Sequence, residues 1–179
     1  GKHRCLVAHP INPPHLIPAV EVVPAPFTKG AVTQQVKEII RSINKVPIEL
    51  TKEIPGFVVN RLQGALLAEA FELKKEGIAS AEDIDTAISH GLGLRWSFMG
   101  PFQTIHLNAP EGISGYVERY EQMYKEMFNN PSLDWSSVLE NGLKEEILIL
   151  FDETKRENFE KQRDDKLAKL ILHKRSFSR

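Results

Sequence analysis

Short apolar runs and one amphipathic segment alternate over the first fifty residues. Residues 5–8 and 19–23 are short and rich in apolar, often β-branched side chains, which is typical of strands. Over residues 29–42 the apolar positions fall on one face at helical spacing, and Thr28 is placed to cap that helix. Residues 46–50 predict another strand. The order predicted for this part of the chain is that of an α/β fold.

From Thr51 onward the pattern predicts helices alone, and Pro55-Gly56 marks the change. Apolar residues occupy 11 of the 17 positions from 57 to 73, so we expect that helix to be surrounded by protein. Ser80-Ala-Glu-Asp83 is a capping-box pattern for a second helix, which Gly91 is expected to end. Further helices are predicted after Gly100-Pro101 and over residues 113–128, 136–151 and 156–174. We therefore predict an α/β part over residues 1–52 and a helical domain over residues 53–179.

A histidine and a glutamate are the first candidates for chemistry. His9 opens the proline-rich loop His9-Pro-Ile-Asn-Pro-Pro14, and Glu21 lies twelve residues later in the returning strand. A fold-back of the chain would bring the carboxylate beside the imidazole, which suits a base and its orienting partner. A hydrogen-bonded structural histidine is the alternative, and the spacing leaves both open.

Asn60 is a polar amide within the apolar first turns of the helix that follows Pro55-Gly56. An unpaired buried amide would cost about 1–3 kcal/mol, so we expect the Asn60 side chain to have a partner. One interpretation is a cap or a core hydrogen bond. The other is a donor that points into a cleft between the two domains, and the residues alone do not choose between them.

Composition excludes several classes of function. The 179 residues carry 23 Lys and Arg against 24 Asp and Glu, a formal net charge of -1 that argues against nucleic-acid and anionic-membrane partners. Apolar runs are too short to span a membrane, the single Cys5 has no disulfide partner within the chain, and we expect a cytoplasmic protein. The histidines show no metal-ligand spacing, so no metal is predicted. The first methionine is Met99, so we expect the chain to be a piece of a longer protein.

Four motifs in order and at matching intervals resemble the 3-hydroxyacyl-CoA dehydrogenase superfamily: His9-Pro-Ile-Asn-Pro, Val20-Glu-Val-Val, Pro55-Gly-Phe-Val-Val-Asn-Arg-Leu, and Ala81-Glu-Asp-Ile-Asp-Thr-Ala with Gly100-Pro-Phe. Within it, Gly91-Leu-Gly-Leu-Arg95-Trp96, His106-Leu-Asn-Ala109 and Tyr116-Val-Glu-Arg-Tyr120 are more similar to the lambda-crystallin branch, which includes L-gulonate 3-dehydrogenase. The resemblance covers residues 3–120 and 156–169 and is poor over residues 121–152.

The resemblance implies a fold and roles for particular residues. It implies the carboxyl-terminal portion alone of such an enzyme: a mainly α fold, with a 6-phosphogluconate-dehydrogenase-like helical domain that binds substrate and dimerises, preceded by the last β/α elements of a truncated Rossmann domain. His9 corresponds to the base that takes the hydroxyl proton while hydride passes to NAD, Glu21 to its partner, and Asn60 to a residue of the substrate site. Arg95 has no counterpart in the acyl-CoA enzymes, and we expect it either to bind a sugar-acid carboxylate, in its own subunit or the neighbour's, or to form a surface ion pair.

Two elements of the family's active site have no counterpart in the sequence. The Gly-x-Gly-x-x-Gly turn of the NAD site is missing, because the nearest match, Gly91-Leu-Gly93, is not followed by the third glycine. The family's catalytic serine is missing as well. We therefore expect the chain by itself to bind NADH weakly and to be inactive. The favoured function is an NAD-dependent dehydrogenase of a small hydroxy acid, such as L-gulonate. A short-chain 3-hydroxyacyl-CoA dehydrogenase and a non-catalytic, lambda-crystallin-like structural or dimerising protein are the alternatives.

Overall fold

Three strands form a mixed sheet at the start of the chain. The computed structural model of the protein describes residues 1–177 and divides into two units, Gly1–Ala79 and a second one that begins at Ser80. The strands are β1 (Leu6–Pro10), β2 (Ala19–Pro24) and β3 (Val46–Glu49). The central β2 pairs antiparallel with β1 and parallel with β3. Every residue of β2 from Val20 to Val23 is buried, as expected of a central strand.

Helix α1 (Gly30–Ser42) makes the crossover between the parallel strands β2 and β3, so the predicted βαβ order is confirmed. Its Ile40 packs against Val20 and Val22 of the sheet. The predicted cap is wrong, because Lys29 occupies the N-cap position and no side chain caps the helix. The Thr28 hydroxyl instead donates to the Cys5 carbonyl at 2.6 Å and accepts from the Ala25 N–H at 2.9 Å, tying the loop after β2 to the start of β1.

Helix α2 (Val59–Lys75) follows a turn and completes the first unit together with the residues up to Ala79. We expected this helix to be surrounded by protein, yet none of its residues is buried in the described part of the chain. Leu62 is 60% exposed and Phe71 73%. The number of apolar residues in a helix shows how much surface the helix is able to bury, but not which part of the protein buries it.

The second unit contains helices and no strand among its described residues. Its α-helices are α3 (Ala81–Thr86), α4 (Gly93–Trp96), α5 (Pro101–Asn108), α6 (Gly112–Met127), α7 (Trp135–Val138), α8 (Lys144–Leu150) and α9 (Arg156–Arg175). A core of Ile113, Val117, Leu139 and Ile147 joins α6 to the segment around α7 and α8. None of the described helices combines the length and apolar character needed to cross a bilayer.

Two predicted helices have different boundaries in the structure. Gly91 does not end the second helix, because a π-helical segment (Ala87–Leu92) carries the chain on into α4. Residues 136–151 do not form one helix, because Asn141 and Gly142 leave helical geometry, with φ 113° at Gly142. A glycine in mid-segment permits either outcome, since its backbone conformation follows the packing of its neighbours.

His106 is a polar residue in the core of the second unit. Its side chain is 2% exposed, and its Nδ1 accepts the Ile113 N–H at 3.2 Å, which closes the turn between α5 and α6. Arg156 donates to the carbonyls of His106, Leu107 and Ala109. Burial first, and then the Arg156 charge, hold the pKa of His106 below 6.5, although Glu153 acts in the opposite direction.

This pKa predicts a dependence of stability on pH. As the pH falls below 6.5, the unfolded chain takes up a proton that folded His106 resists, so the free energy of unfolding should fall from that point down to the lowered pKa. His106→Asn keeps an acceptor for the Ile113 N–H without the titration and should weaken this dependence. The two tryptophans of the chain, Trp96 and Trp135, both lie in the second unit. Urea unfolding followed by tryptophan emission at several pH values therefore measures the free energy of unfolding of that unit. Equal pH dependence in both proteins would contradict the prediction.

Candidate active site

The β1–β2 hairpin places His9 directly opposite Glu21. In an antiparallel pair, directly opposed residues project from the same face, so their side chains are able to meet. The Nδ1 atom of His9 lies 2.9 Å from Oε2 of Glu21. Glu21 is 0% exposed, whereas the side chain of His9 is 36% exposed. The structure therefore joins a buried carboxylate to an imidazole that solvent or a ligand is able to reach.

The second oxygen of Glu21 binds backbone at the start of helix α2. Its Oε1 accepts the N–H of Val58 at 2.8 Å and the N–H of Val59 at 2.9 Å. The first N–H groups of a helix have no partner within the helix and carry partial positive charge, which favours an anion. Glu21 thus caps α2 from a neighbouring strand while it contacts His9.

These contacts determine the charge of Glu21. Burial alone raises the pKa of this carboxyl, but the hydrogen bonds from Val59, His9 and Val58 outweigh it and leave the pKa below its usual range. Glu21 is therefore a carboxylate at neutral pH and acts as an acceptor. Consequently, the proton of neutral His9 lies on Nδ1 and the lone pair on Nε2. A histidine in this tautomer is able to accept a proton at Nε2.

A strained turn presents the two amides to Glu21. Gly56 and Phe57 both have left-handed backbone conformations, with φ 80° and 52°. For a residue with a side chain this conformation costs about 1–2 kcal/mol. The Phe57 ring lies 5.5 Å from the His9 ring, tilted at 59°. Strain of this kind is found at functional sites, and here it accompanies both the amides that hold Glu21 and a ring that contacts His9.

Asn60 is exposed, and its side chain makes no hydrogen bond within the described residues. The expected partner is therefore absent among the described residues. An exposed amide needs no protein partner, because water is able to hydrogen-bond to it. Asn60 lies one residue beyond Val59, so the helix that supplies amides to Glu21 also carries this side chain. A role for Asn60 in substrate binding stays a prediction.

Arg95 lies in α4, directly after the π-helical segment, and its side chain is half-buried. It has no carboxylate partner in residues 1–177, so the ion-pair interpretation finds no support there. It is close enough to Tyr116 to affect that phenol electrostatically. Burial, then the hydrogen bond to Tyr124, raise the pKa of Tyr116, and the Arg95 charge opposes this rise.

Sequence reasoning missed the groups that hold Glu21 and the residues around Arg95. The Val58 and Val59 donors are backbone N–H groups, which no side-chain pattern reveals. The Pro55-Gly56 dipeptide predicted a turn, but it did not predict that the turn would point the two N–H groups at Glu21. Tyr116 and Tyr124, whose hydroxyls are 3.3 Å apart, are eight residues apart, a spacing typical of one helix face.

Comparison with known families identifies the family of the chain. Residues 56–146 match the family model of the 3-hydroxyacyl-CoA dehydrogenase C-terminal domain, and residues 1–54 match that of the NAD binding domain of 3-hydroxyacyl-CoA dehydrogenase. The chain belongs to the 3-hydroxyacyl-CoA dehydrogenase family. The predicted family is confirmed, with one correction. We expected the carboxyl-terminal portion alone, whereas the first 54 residues match the NAD-binding domain.

Two curated relatives and one solved structure illustrate the similarity. The lambda-crystallin homolog of Mus musculus is 39% identical, over 96% of this chain and 54% of its own length. The L-carnitine dehydrogenase of Oceanobacillus iheyensis is 38% identical, over 94% of this chain and 55% of its own. The crystal structure of a 3-hydroxyacyl-CoA dehydrogenase from Archaeoglobus fulgidus is 25% identical, with a TM-score of 0.68, over 94% of this chain and 58% of its own. The chain thus spans about half the length of these curated relatives.

NAD is the cofactor of the matched N-terminal domain family. A dinucleotide needs a glycine-rich turn between a strand and a helix, because side chains there keep the pyrophosphate away from the helix N-terminus. In the described residues, the connection from β2 to α1 contains no glycine before Gly30, and Gly91-Leu92-Gly93 lies within helical turns. The residues present do not fit a pyrophosphate, and we assign no NAD contact to them.

The geometry predicts the effect of Glu21→Gln. The amide oxygen of glutamine would still accept from Val58 and Val59, but its NH2 group would face His9 and force the imidazole proton onto Nε2. We expect the free energy of unfolding to fall by about 1–3 kcal/mol, through loss of charge-assisted hydrogen bonds. We also expect 15N NMR of the His9 ring to show the tautomer exchanged.

Glu49→Gln is a matched control, because Glu49 lies in the same sheet and its partner Lys37 forms a surface ion pair. That variant should change stability by less than about 1 kcal/mol and leave the His9 tautomer unchanged. An unaltered tautomer in Glu21→Gln would show that Glu21 does not orient His9.

Proposed function

We propose that this chain supplies the proton acceptor of an NAD-dependent dehydrogenase that oxidises the hydroxyl group of a small hydroxy acid. The observation that carries the proposal is the pair formed by His9 and the buried Glu21. In this proposal, Nε2 of His9 takes the hydroxyl proton of the substrate, and Glu21 stabilises the imidazolium that results. NAD is the hydride acceptor that the family uses, and residues outside those described here would have to bind it.

The proposed substrate carries a carboxylate, and L-gulonate is the leading candidate. The support is Arg95, a half-buried guanidinium without a carboxylate partner in the described residues. A guanidinium binds a carboxylate through two parallel hydrogen bonds. One relative acts on L-carnitine, by its name, and that compound is also a hydroxy acid with a carboxylate. Asn60 is also proposed to bind the substrate.

A short-chain 3-hydroxyacyl-CoA is the second candidate. The family name and the Archaeoglobus fulgidus enzyme favour it. A thioester has no carboxylate, so this substrate would leave Arg95 without a role at the reacting end of the molecule. A non-catalytic, lambda-crystallin-like protein is the third candidate, and it would give the His9–Glu21 pair no chemical task.

Activity can be tested in a chimera, in which this chain replaces the matching part of the Mus musculus relative and the remaining residues of that relative supply the rest of the enzyme. Oxidation of L-gulonate, oxidation of L-carnitine and reduction of acetoacetyl-CoA would be compared. We expect turnover of a carboxylate substrate, and His9→Gln should lower kcat by about 10²–10⁴-fold with little change in NADH affinity. Normal turnover by His9→Gln would refute the role of His9.

In the same chimera, Arg95→Gln should raise KM for the carboxylate substrate by roughly tenfold or more and leave acetoacetyl-CoA reduction unchanged. Lys75→Gln, on the exposed surface of α2, is the control. Preference for acetoacetyl-CoA would select the second candidate, and no turnover of any substrate the third. The chain alone should bind NADH weakly, and micromolar affinity in a fluorescence titration would contradict that expectation.

We also propose that the protein is a cytoplasmic homodimer that associates through its helical part, residues 53–179, and that residues 1–52 are the last elements of a Rossmann domain. The exposed apolar side chains of α2, such as Leu62 and Phe71, support association. Sedimentation equilibrium should give a dimer for the parent chain and a monomer for a variant with both Leu62→Glu and Phe71→Glu. A monomeric parent would refute this proposal.

A further inference from the structure

A groove of about 630 Å³ lies at the carboxyl ends of the parallel strands β2 and β3. Its lining comes from the loop after β2, the first turns of α1 and the residues that follow β3. Its volume is within the range of small-molecule sites. The carboxyl ends of parallel strands are where open α/β sheets bind ligands. This groove shares no lining residue with the His9–Glu21 pair.

Backbone donors at the start of α1 have no protein partner. The N–H groups of Gly30 and Ala31 make no hydrogen bond within the described residues, and no side chain caps this helix of 13 residues. A Cβ atom added at Gly30, which lines the groove, would meet nothing within 4 Å, so a ligand has room to approach the backbone there. The helix N-terminus favours negative charge.

The side chain of Thr33 provides a second, independent observation. Thr33 also lines the groove and is 3% exposed, yet its side chain has no hydrogen-bond partner in residues 1–177. No fully buried side-chain oxygen or nitrogen of the described residues lacks a partner, so the Thr33 hydroxyl must reach the groove surface. The residue is thus almost wholly buried, and its hydroxyl, which no described group pairs, is free to bond a ligand in the groove.

The charges in the groove are mixed and nearly balanced, so an anion there would be held by hydrogen bonds rather than by net charge. Lys52 lines it and has no ion-pair partner in the described chain. Glu49 is neutralised by Lys37. Glu53 also lines the groove, has no cation partner among the described residues, and balances the charge of Lys52.

We propose that this groove binds the phosphate group of a small phosphorylated ligand. The donors that line the groove are the Gly30 amide, the Thr33 hydroxyl and the Lys52 ammonium, and the unpaired Ala31 amide lies next to them in the first turn of α1. A single phosphate fits this donor set better than a dinucleotide pyrophosphate, because the loop before Gly30 carries the side chains of Pro26, Phe27 and Thr28 where a pyrophosphate needs glycines. This site is additional to the proposed active site.

The test is a 15N–1H NMR titration of the whole chain with inorganic phosphate at constant ionic strength. We expect saturating shifts at the amides of Gly30, Ala31 and Thr33. Acetate is the second probe, and it should shift the same amides with at least tenfold lower affinity. Equal affinity for acetate would overturn the assignment to phosphate, and shifts that do not saturate would overturn the site itself.

Matched variants separate the site from general charge effects. Thr33→Val removes the hydroxyl and should weaken phosphate binding roughly tenfold, whereas Thr33→Ser keeps the hydroxyl and should bind normally. Lys52→Gln should weaken binding and Glu53→Gln should strengthen it. Both residues are exposed, so these variants keep the test available if Thr33→Val does not fold. Equal affinity in the parent, Lys52→Gln and Glu53→Gln would overturn the proposal.

Discussion

A buried carboxylate must be compensated, and Glu21 is compensated by three N–H donors. An isolated charge in a protein interior would cost many kcal/mol, so its partners have to be present in the folded state. One partner is the His9 ring and the other two are the Val58 and Val59 amides. The hairpin, the turn after β3 and the first turn of α2 are consequently held in one arrangement by one side chain.

This constraint explains two features that look unrelated in the sequence. The turn at Gly56 and Phe57 adopts an unfavourable backbone conformation, and what it achieves is the alignment of two consecutive amides on one carboxylate oxygen. The same carboxylate, held ionised, selects the tautomer of His9. The strained turn and the tautomer of His9 are therefore linked through Glu21, although Phe57 and Glu21 lie 36 residues apart.

Local patterns were sufficient for part of this structure. Strand periodicity and helix spacing predicted the β2–α1–β3 unit, and the spacing of His9 and Glu21 allowed the fold-back that the β1–β2 pairing shows. The errors share one cause, which is information that the local sequence does not contain. Thr28 is placed to cap α1 but bonds Cys5, far away in the chain, and Gly91 permits continuation of a helix as readily as its end. Backbone donors such as Val58 N–H have no side-chain signature at all.

Polar groups that have a hydrogen-bond partner within the chain act differently from those that have none. Glu21 and His106 have partners, and their effect is internal, on a tautomer in one case and on a turn in the other. Arg95, Thr33 and the first amides of α1 have none among the described residues. Buried polar groups in folded proteins are normally paired, as Glu21 and His106 are here. In the two proposals, these open donors are the groups that bind an anion from outside the chain.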